Sequence, residues 1–326
     1  MAAFTPGSAL HRGGMRYTRS HETLRPPQLP ANNDKENGVS YISGSYASDQ
    51  DGIAIATYSW LLPDDTMARG VVQIAHGLAE HAGRYDRFAR ALNDAGFHVV
   101  ASDHRGHGQS IHTVGGDFGA PGFPGLQADM VQLGEELKSS YPRVPLFLFA
   151  HSMGSFATQH LLLERSDLYD GVVLSGTSVL DAIVASMGDR PIGDLSAFNA
   201  QFEHRTGYEW LSRDTDEVDK YVADPLCGFD LPAETVATLF AGADELADPA
   251  NLATIRHDLP ILLASGTADP LAGGGQLVEN LADRYRAAGL TDVEVRLYPE
   301  ARHEIVNETN RDEVTEDIVR WLIEHS

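Results

Sequence analysis

The residues best placed to do chemistry surround a serine at a strand-to-helix junction, in Phe147-Leu148-Phe149-Ala150-His151-Ser152-Met153-Gly154-Ser155-Phe156. An apolar run passes straight into a helical pattern, and so sharp a turn needs small neighbours two positions either side of the serine. Ala150 and Gly154 meet that need, and the result is a hydroxyl presented at the end of a strand beside the positive pole of a helix. The common form of this turn has glycine where Ala150 stands. An ordinary helix-capping serine is the simpler alternative. A hydroxyl becomes a useful nucleophile only when a base takes its proton, and an imidazole does so near neutral pH. His303, in Tyr298-Pro299-Glu300-Ala301-Arg302-His303-Glu304, follows the last strand and precedes a C-terminal helix that begins near Arg311. Asp269, in Gly266-Thr267-Ala268-Asp269-Pro270, follows the preceding strand and could hold the imidazole's tautomer and stabilise the imidazolium. Taken singly, His303 reads as a surface histidine and Asp269 as a turn aspartate. Together the three describe acyl transfer.

Acyl transfer also needs donors for an oxyanion. The backbone N–H of Met153, next after the nucleophile, is one. The other is expected from Leu78, since Gly77 in His76-Gly77-Leu78-Ala79-Glu80-His81 lets the chain turn toward the site. The spacing of His76 and His81 matches no common zinc motif, so no metal is expected, and nothing in this chemistry requires a cofactor. A second histidine run, Asp103-His104-Arg105-Gly106-His107-Gly108-Gln109-Ser110, reads as a tightly wound structural loop that Asp103 and Arg105 help to hold.

Side chains so far apart in sequence must be gathered by a sheet. Short apolar runs at Val71–Ala75, His98–Ala101, Leu146–Ala150, Gly171–Ser175, Ile261–Ser265 and Val293–Tyr298 read as buried strands. Between them, Tyr85–Ala95, Leu126–Ser140, Phe156–Glu164 and Gly275–Ala288 have helical apolar spacing. Alternation of this kind predicts an α/β fold, a mostly parallel sheet with helices on both faces and its functional residues at the strands' C-terminal ends. Ile42–Ser48 and Ile53–Leu62, joined through Asp51-Gly52, add an antiparallel hairpin. Residues 178–250 break the alternation with helical stretches at Ala197–Glu203, Thr215–Val222 and Pro232–Leu239, which predicts an inserted helical cap within one domain spanning 41–326. Residues 1–40, proline-rich and polar, read as a disordered tail.

Composition narrows the partners. Among 326 residues, 47 acidic side chains against 24 basic ones leave a formal net charge of −23, which repels phosphate backbones and disfavours nucleic acid. The same charge leaves at most transient contact with anionic membranes, and no apolar run approaches the roughly 20 residues of a membrane-spanning helix. The sole cysteine, Cys227, forms no intramolecular disulfide and is expected to be buried and structural. Without a signal-peptide pattern at the start, a cytoplasmic location is expected. The sequence carries no signal for an oligomeric state.

Taken together, these motifs resemble the monoacylglycerol lipase and lysophospholipase group of α/β-hydrolases, also grouped with serine aminopeptidase-like hydrolases. The resemblance rests on His76-Gly77-Leu78-Ala79-Glu80-His81 with Arg84-Tyr85, Asp103-His104-Arg105-Gly106-His107-Gly108, His151-Ser152-Met153-Gly154, Gly266-Thr267-Ala268-Asp269-Pro270 and Arg302-His303-Glu304. It spans about residues 42–326 and is loosest in the cap. The chain order Ser152, Asp269, His303 agrees with that fold and not with trypsin or subtilisin. The resemblance implies a serine carboxylic ester hydrolase with nucleophile Ser152, acid Asp269, base His303 and oxyanion donors Leu78 and Met153. It also implies a substrate-binding place for Glu80 and Arg84 at the polar end of the pocket, against which stands a structural ion pair bracing the loop. Its substrate would be a small lipid-like ester, a lysophospholipid or monoacylglycerol, and the lack of a long apolar ridge in the cap favours short or soluble ones. Two alternatives stay open: an aminopeptidase or amidase using Glu203 or Glu209 for the substrate amine, and a non-catalytic small-molecule-binding relative.

Overall fold

The computed structural model describes residues 41–187 and 198–326. Eight strands form one sheet: β1 (Ile42–Ala47), β2 (Ala54–Trp60), β3 (Gly70–Ala75), β4 (Phe97–Ser102), β5 (Leu146–His151), β6 (Gly171–Ser175), β7 (Ile261–Gly266) and β8 (Val293–Tyr298), in the order β1-β2-β4-β3-β5-β6-β7-β8. β1 and β2 pair antiparallel, β2 runs antiparallel to β4, and the remaining pairings are parallel. This is the α/β architecture expected from the alternating runs. From β3 the chain passes outward to β4, then returns to β5 on the other side of β3. The strand order therefore reverses at β3, and the crevice beyond the C-terminal ends of β3 and β5 is where such sheets bind ligands.

Both faces are covered, as side-chain alternation requires. Along β5, Leu146, Leu148 and Ala150 point into one apolar cluster and Phe147 and Phe149 into another. The first cluster also holds side chains of α2 (Gly122–Ser140), α3 (Met153–Arg165) and α9 (Gln276–Ala287). The second holds those of α1 (Asp86–Asp94) and α10 (Arg311–Glu324). The interior strands β3 to β7, wetted on neither face, must read as unbroken apolar runs, which is why they were legible in sequence. β8, expected to be buried, is half-exposed because it lies at the sheet edge and alternates Glu294 and Arg296 with apolar residues.

Between β6 and β7 lie α4 (Leu180–Met187), α5 (Thr215–Ala223), α6 (Ala233–Leu239), α7 (Ala243–Ala247) and α8 (Pro249–Leu252), with no strand among the described residues. The expected α-helix over 197–203 does not form: its first residue lies outside the described residues, 198–199 make a single 3-10 turn, and 200–207 run as turns, bends and irregular chain. That segment is used instead to hold Asn199, whose side-chain oxygen accepts from the Trp210 N–H at 2.8 Å while its amide donates to Glu209 at 2.8 Å. The expected tail over 1–40 lies outside the described residues. No helix among the described residues is long and apolar enough to cross a membrane.

The loops after β3 and β4 are locked together by histidines. The His104 backbone N–H donates to His76 Nε2 at 2.9 Å, so His76 carries its proton on Nδ1 and donates it to the Gly77 carbonyl at 2.7 Å. His104 Nε2–H in turn donates to the His76 carbonyl at 3.2 Å, and the two rings lie 4.2 Å apart. Asp103 accepts from Ala82 N–H, Gln109 N–H and the Tyr58 hydroxyl, and buried Arg105 reaches Asp129, Asp51 and Ser48. The loop is thus wound around Asp103 and tied outward by Arg105. Burial holds His104 neutral, its pKa lowered to about 3, and His107 likewise to about 4, with His76 well below its ordinary value. The unfolded chain would protonate all three near 6.5. Unfolding therefore takes up protons between pH 6.5 and about 4, and stability should fall as pH is lowered through that window, before carboxylates contribute. Urea midpoints measured from pH 7.5 to 4.5 should decline steadily; a flat profile would show that these rings titrate normally in the fold.

Candidate active site

β5 ends at His151 and α3 begins at Met153, leaving one residue to reverse the chain. That residue, Ser152, sits at φ 50°, ψ −117°, a conformation that ordinarily costs a side-chain-bearing residue about 1–3 kcal/mol. Neighbouring bonds hold it there: its N–H donates to the Ser175 carbonyl at 2.9 Å, and its carbonyl accepts from the Ser155 hydroxyl at 2.7 Å. Gly154 makes the turn possible, since a Cβ on it would stand 2.5 Å from the Ala75 carbonyl oxygen and 2.7 Å from that of His76. Ala150 packs without exposure to water between β3 and β6, so its methyl group is accommodated.

His303 follows β8 and is buried with Asp269, the two being 2 % exposed each. His303 Nδ1–H donates to Asp269 Oδ2 at 2.8 Å, while the other carboxylate oxygen accepts the Leu271 N–H at 2.9 Å. The carboxylate is thereby aimed, and Nε2 is left as the acceptor. Burial works against an imidazolium here, yet the Asp269 charge and hydrogen bond outweigh it, helped by Glu304 and Glu80, and the His303 pKa is raised above 6.5. The His303 ring lies 4.7 Å from that of His151, the residue before Ser152. His151 has the opposite environment: burial and the neighbouring His303 lower its pKa to about 4. A Cβ on Gly77 would lie 3.2 Å from Ser152 Cβ, which puts the start of the Gly77-Leu78 turn against the serine. As first residue of α3, Met153 has an N–H that its helix cannot satisfy. The Asp269–His303 pair thus lies against the residue before Ser152, and the Gly77-Leu78 turn and the start of α3 meet the serine from its other sides.

Glu80 and Arg84 lie beside it but form the ion pair that was the alternative reading. Arg84 donates from Nη1 to Glu80 at 2.7 Å and, through both Nη atoms, to Glu304 at 2.5 and 2.7 Å. Glu80's other oxygen accepts the Gly77 N–H at 2.5 Å and the Tyr85 hydroxyl at 2.8 Å. All of these side chains are nearly or wholly removed from water. One guanidinium therefore joins the Leu78 loop to the residue after His303. Burial raises the Glu80 pKa, but Arg84, His151 and the Gly77 N–H more than reverse this and hold it ionised.

Three further contributors carried no assigned role in the sequence reading. His303 and Glu304 N–H donate to the Trp210 and Leu211 carbonyls at 3.3 and 2.8 Å, and the Trp210 ring lies 4.8 Å from His303. Arg302 donates to the Glu209 and Ser212 carbonyls and lies 4.5 Å over Phe202. Across the crevice, the Ala79 carbonyl accepts from Gly228 N–H and the Tyr221 hydroxyl, both at 2.9 Å. The segment between β6 and β7 thus grips both the His303 loop and the Leu78 loop. Such contacts between distant segments leave no local pattern.

A parallel sheet with a strained serine after its fifth strand and a buried Asp–His pair after the seventh and eighth defines an α/β-hydrolase. Residues 66–310 match the family described as serine aminopeptidase, S33. A monoacylglycerol lipase of Mycolicibacterium smegmatis is 30 % identical over 84 % of this chain and 94 % of that protein. A mouse monoglyceride lipase is 29 % identical over 74 % of this chain and 81 % of its own. Among solved structures, a Bacillus coagulans carboxyl esterase in complex with glycerol superposes with a TM-score of 0.75 at 28 % identity, covering 87 % of this chain and 98 % of that one. The chain belongs to this family of α/β-hydrolases, in its monoacylglycerol lipase group.

Replacing Arg84 by methionine would leave Glu80 and Glu304 facing each other, buried and without a cation. Removing one partner of a buried ion pair typically costs about 3–5 kcal/mol. A loss of that size in equilibrium denaturation is expected for Arg84→Met; a loss below about 1 kcal/mol would place the pair in the weak class of solvent-exposed bridges.

Proposed function

We propose that this protein is a serine hydrolase that cleaves carboxylic esters of lipid-like substrates, a monoacylglycerol or lysophospholipid, through an acyl-enzyme at Ser152. The observation that carries this reading is the buried His303 Nδ1–H to Asp269 hydrogen bond of 2.8 Å, which leaves Nε2 as a base. In this mechanism Ser152 Oγ attacks the ester carbonyl carbon while His303 Nε2 takes its proton. The Leu78 and Met153 N–H groups receive the oxyanion, and the imidazolium then returns the proton to the departing alcohol. Water repeats the sequence on the acyl-enzyme, releasing the acid and restoring the serine. Arg84 acts as a positioning residue, holding the oxyanion loop against the base loop.

The apolar side of a lipid-like substrate would meet the third apolar cluster, in which Trp210 lies 4.8 Å from His303 and Leu271 follows close on Asp269. The matched family's description names a peptidase, but the relatives' esterase and lipase names support ester over amide chemistry. The aminopeptidase reading needs a carboxylate for a substrate's amine, and Glu209 is poorly suited. Although burial opposes its charge, its oxygens accept from Thr206, Gly207 and Asn199, which holds its pKa at about 2 and leaves it occupied within its own turn. Glu203 is exposed and remains the only candidate of the two.

Ser152→Ala should lower ester hydrolysis by roughly 10⁶-fold and Asp269→Asn by about 10⁴-fold, with the fold retained by circular dichroism. Ester hydrolysis that survives Ser152→Ala would remove the mechanism. The base must be neutral to act, so kcat/KM should fall on the acid side with an apparent pKa above 6.5, and Asp269→Asn should move that limb downward. An acid limb unmoved by Asp269→Asn would assign it to another group. Compared side by side, monoacylglycerol and lysophosphatidylcholine should turn over and an aminoacyl arylamide should not; preference for the arylamide would transfer the assignment to the aminopeptidase reading.

A further inference from the structure

Away from the crevice, two trios of side chains bring possible metal-ligand atoms within 4.8 Å of one another among the described residues. They differ in where the imidazole keeps its proton. In the trio of His81, Asp224 and Cys227, the Gly83 N–H donates to His81 Nδ1 at 3.2 Å. The neutral ring therefore carries its proton on Nε2, and Asp224 accepts that proton at 2.9 Å. Both nitrogens are satisfied, and burial pushes the Cys227 thiol well up. A cation would have to displace an existing bond.

The trio of Asp292, Glu294 and His325 is arranged the other way. His325 Nδ1 lies 2.7 Å from the Trp321 carbonyl, which can only accept, so Nδ1 holds the proton and a neutral ring turns the Nε2 lone pair outward. That lone pair faces Asp292 Oδ2 at 3.2 Å, and a carboxylate oxygen is also only an acceptor. Two lone pairs at this distance attract only when a positive charge lies between or on them: a second proton on the imidazole, or a metal ion. Glu294 supplies a third ligand atom, which a proton would not need. A nitrogen and an oxygen 3.2 Å apart also span the edge of a tetrahedron with metal–ligand bonds of about 2.0–2.1 Å. The imidazole is oriented as metal-bound histidines are, with its other nitrogen donating to a backbone carbonyl. Its ring packs 4.3 Å from that of buried Trp321. The site also faces the C-terminal end of α10, whose dipole favours a cation. Arg296 approaches Glu294 only to 3.5 Å, and its nearer partner is Asp317 at 3.1 Å.

We propose that Asp292, Glu294 and His325 form a binding site for a divalent transition-metal ion of the zinc type, with water completing the shell. The ion takes the place that a proton would occupy on Nε2 and joins the end of α10 to the edge strand β8. Asp292 and His303 flank opposite ends of that strand, which separates the ion from the base by roughly 20 Å at about 3.3 Å per residue. Its role is therefore structural, and ester hydrolysis should not depend on it.

The test uses the full chain without an affinity tag. Titration with Zn²⁺ alone, followed by calorimetry, should show one equivalent bound and a melting temperature raised by a few degrees. Bound Co²⁺ should give the visible absorption of a tetrahedral site. His325→Asn keeps an N–H for the Trp321 carbonyl but removes the ligand atom, and Asp292→Asn removes the facing carboxylate. Each should weaken binding by about 10–100-fold and abolish the thermal shift, leaving metal-free melting and ester hydrolysis unchanged. The proposal is overturned if the wild-type chain binds no Zn²⁺, or if both variants bind it as tightly as wild type.

Discussion

The turn between β5 and α3 leaves no slack. A parallel strand buried on both faces must pass into a helix within one residue, and the carbonyl oxygens of Ala75 and His76 stand where any side chain on residue 154 would go. Only glycine fits there, and with it Ser152 is pressed into a left-handed conformation. Because the strain sits at the rim of the sheet, the serine is raised out of the core while its flanking residues stay inside. The strand order makes that position useful. β3 and β5 run parallel side by side but the chain continues to β4 on one side and to β6 on the other, so the loop carrying Gly77 and Leu78 arrives beside the serine, not above some other strand.

Around this turn the protein concentrates ionisable groups whose environments pull them in opposite directions. His151 and His303 lie 4.7 Å apart and are equally buried, yet one is driven toward the neutral form and the other toward the charged one. The difference is Asp269. Removal from water lowers the pKa of both rings, and only His303 has a carboxylate aligned on Nδ1 to compensate. A few ångströms away, Glu80, Arg84 and Glu304 form a second charged group in which every oxygen has a donor. Buried charge is costly unless fully paired. Its presence here is consistent with a demand for fixed geometry: the network binds the loop after β3 to the loop after β8, so Leu78 and His303 cannot drift independently.

Much of this could be read from residue order. The interior strands β3 to β7 were visible because burial on both faces forces continuous apolar runs, β1 and β2 because a tight turn joins them, and the Ser152 turn because it demands small residues at fixed offsets. Asp269 and His303 could be located because loops at the C-terminal ends of parallel strands share one edge. The Glu80–Arg84 pair entered through the resemblance, with an ion pair as the alternative to a substrate-binding place, but its third member did not: Glu304 is 220 residues from Arg84 in the chain and looks like any charged residue. Trp210 was invisible for the same reason, since its backbone and ring meet His303 only after the insertion folds back. The helix expected over 197–203 failed because helical spacing was outweighed by local side-chain bonds, in which Asn199 and Glu209 hold the chain in turns. His325 and Asp292 likewise meet only through the docking of α10 against the sheet edge.

The proposed chemistry requires Ser152 Oγ, His303 Nε2 and the Leu78 and Met153 N–H groups to meet one substrate carbonyl. The most direct measurement is a crystal structure of the protein after reaction with an alkyl fluorophosphonate. The expected adduct has a covalent bond from phosphorus to Ser152 Oγ, a phosphonyl oxygen within hydrogen-bond distance of the Leu78 and Met153 backbone nitrogens, and His303 Nε2 directed at the phosphonate with Nδ1 still on Asp269. An adduct on another residue, or a phosphonyl oxygen turned away from both nitrogens, would contradict the proposed chemistry.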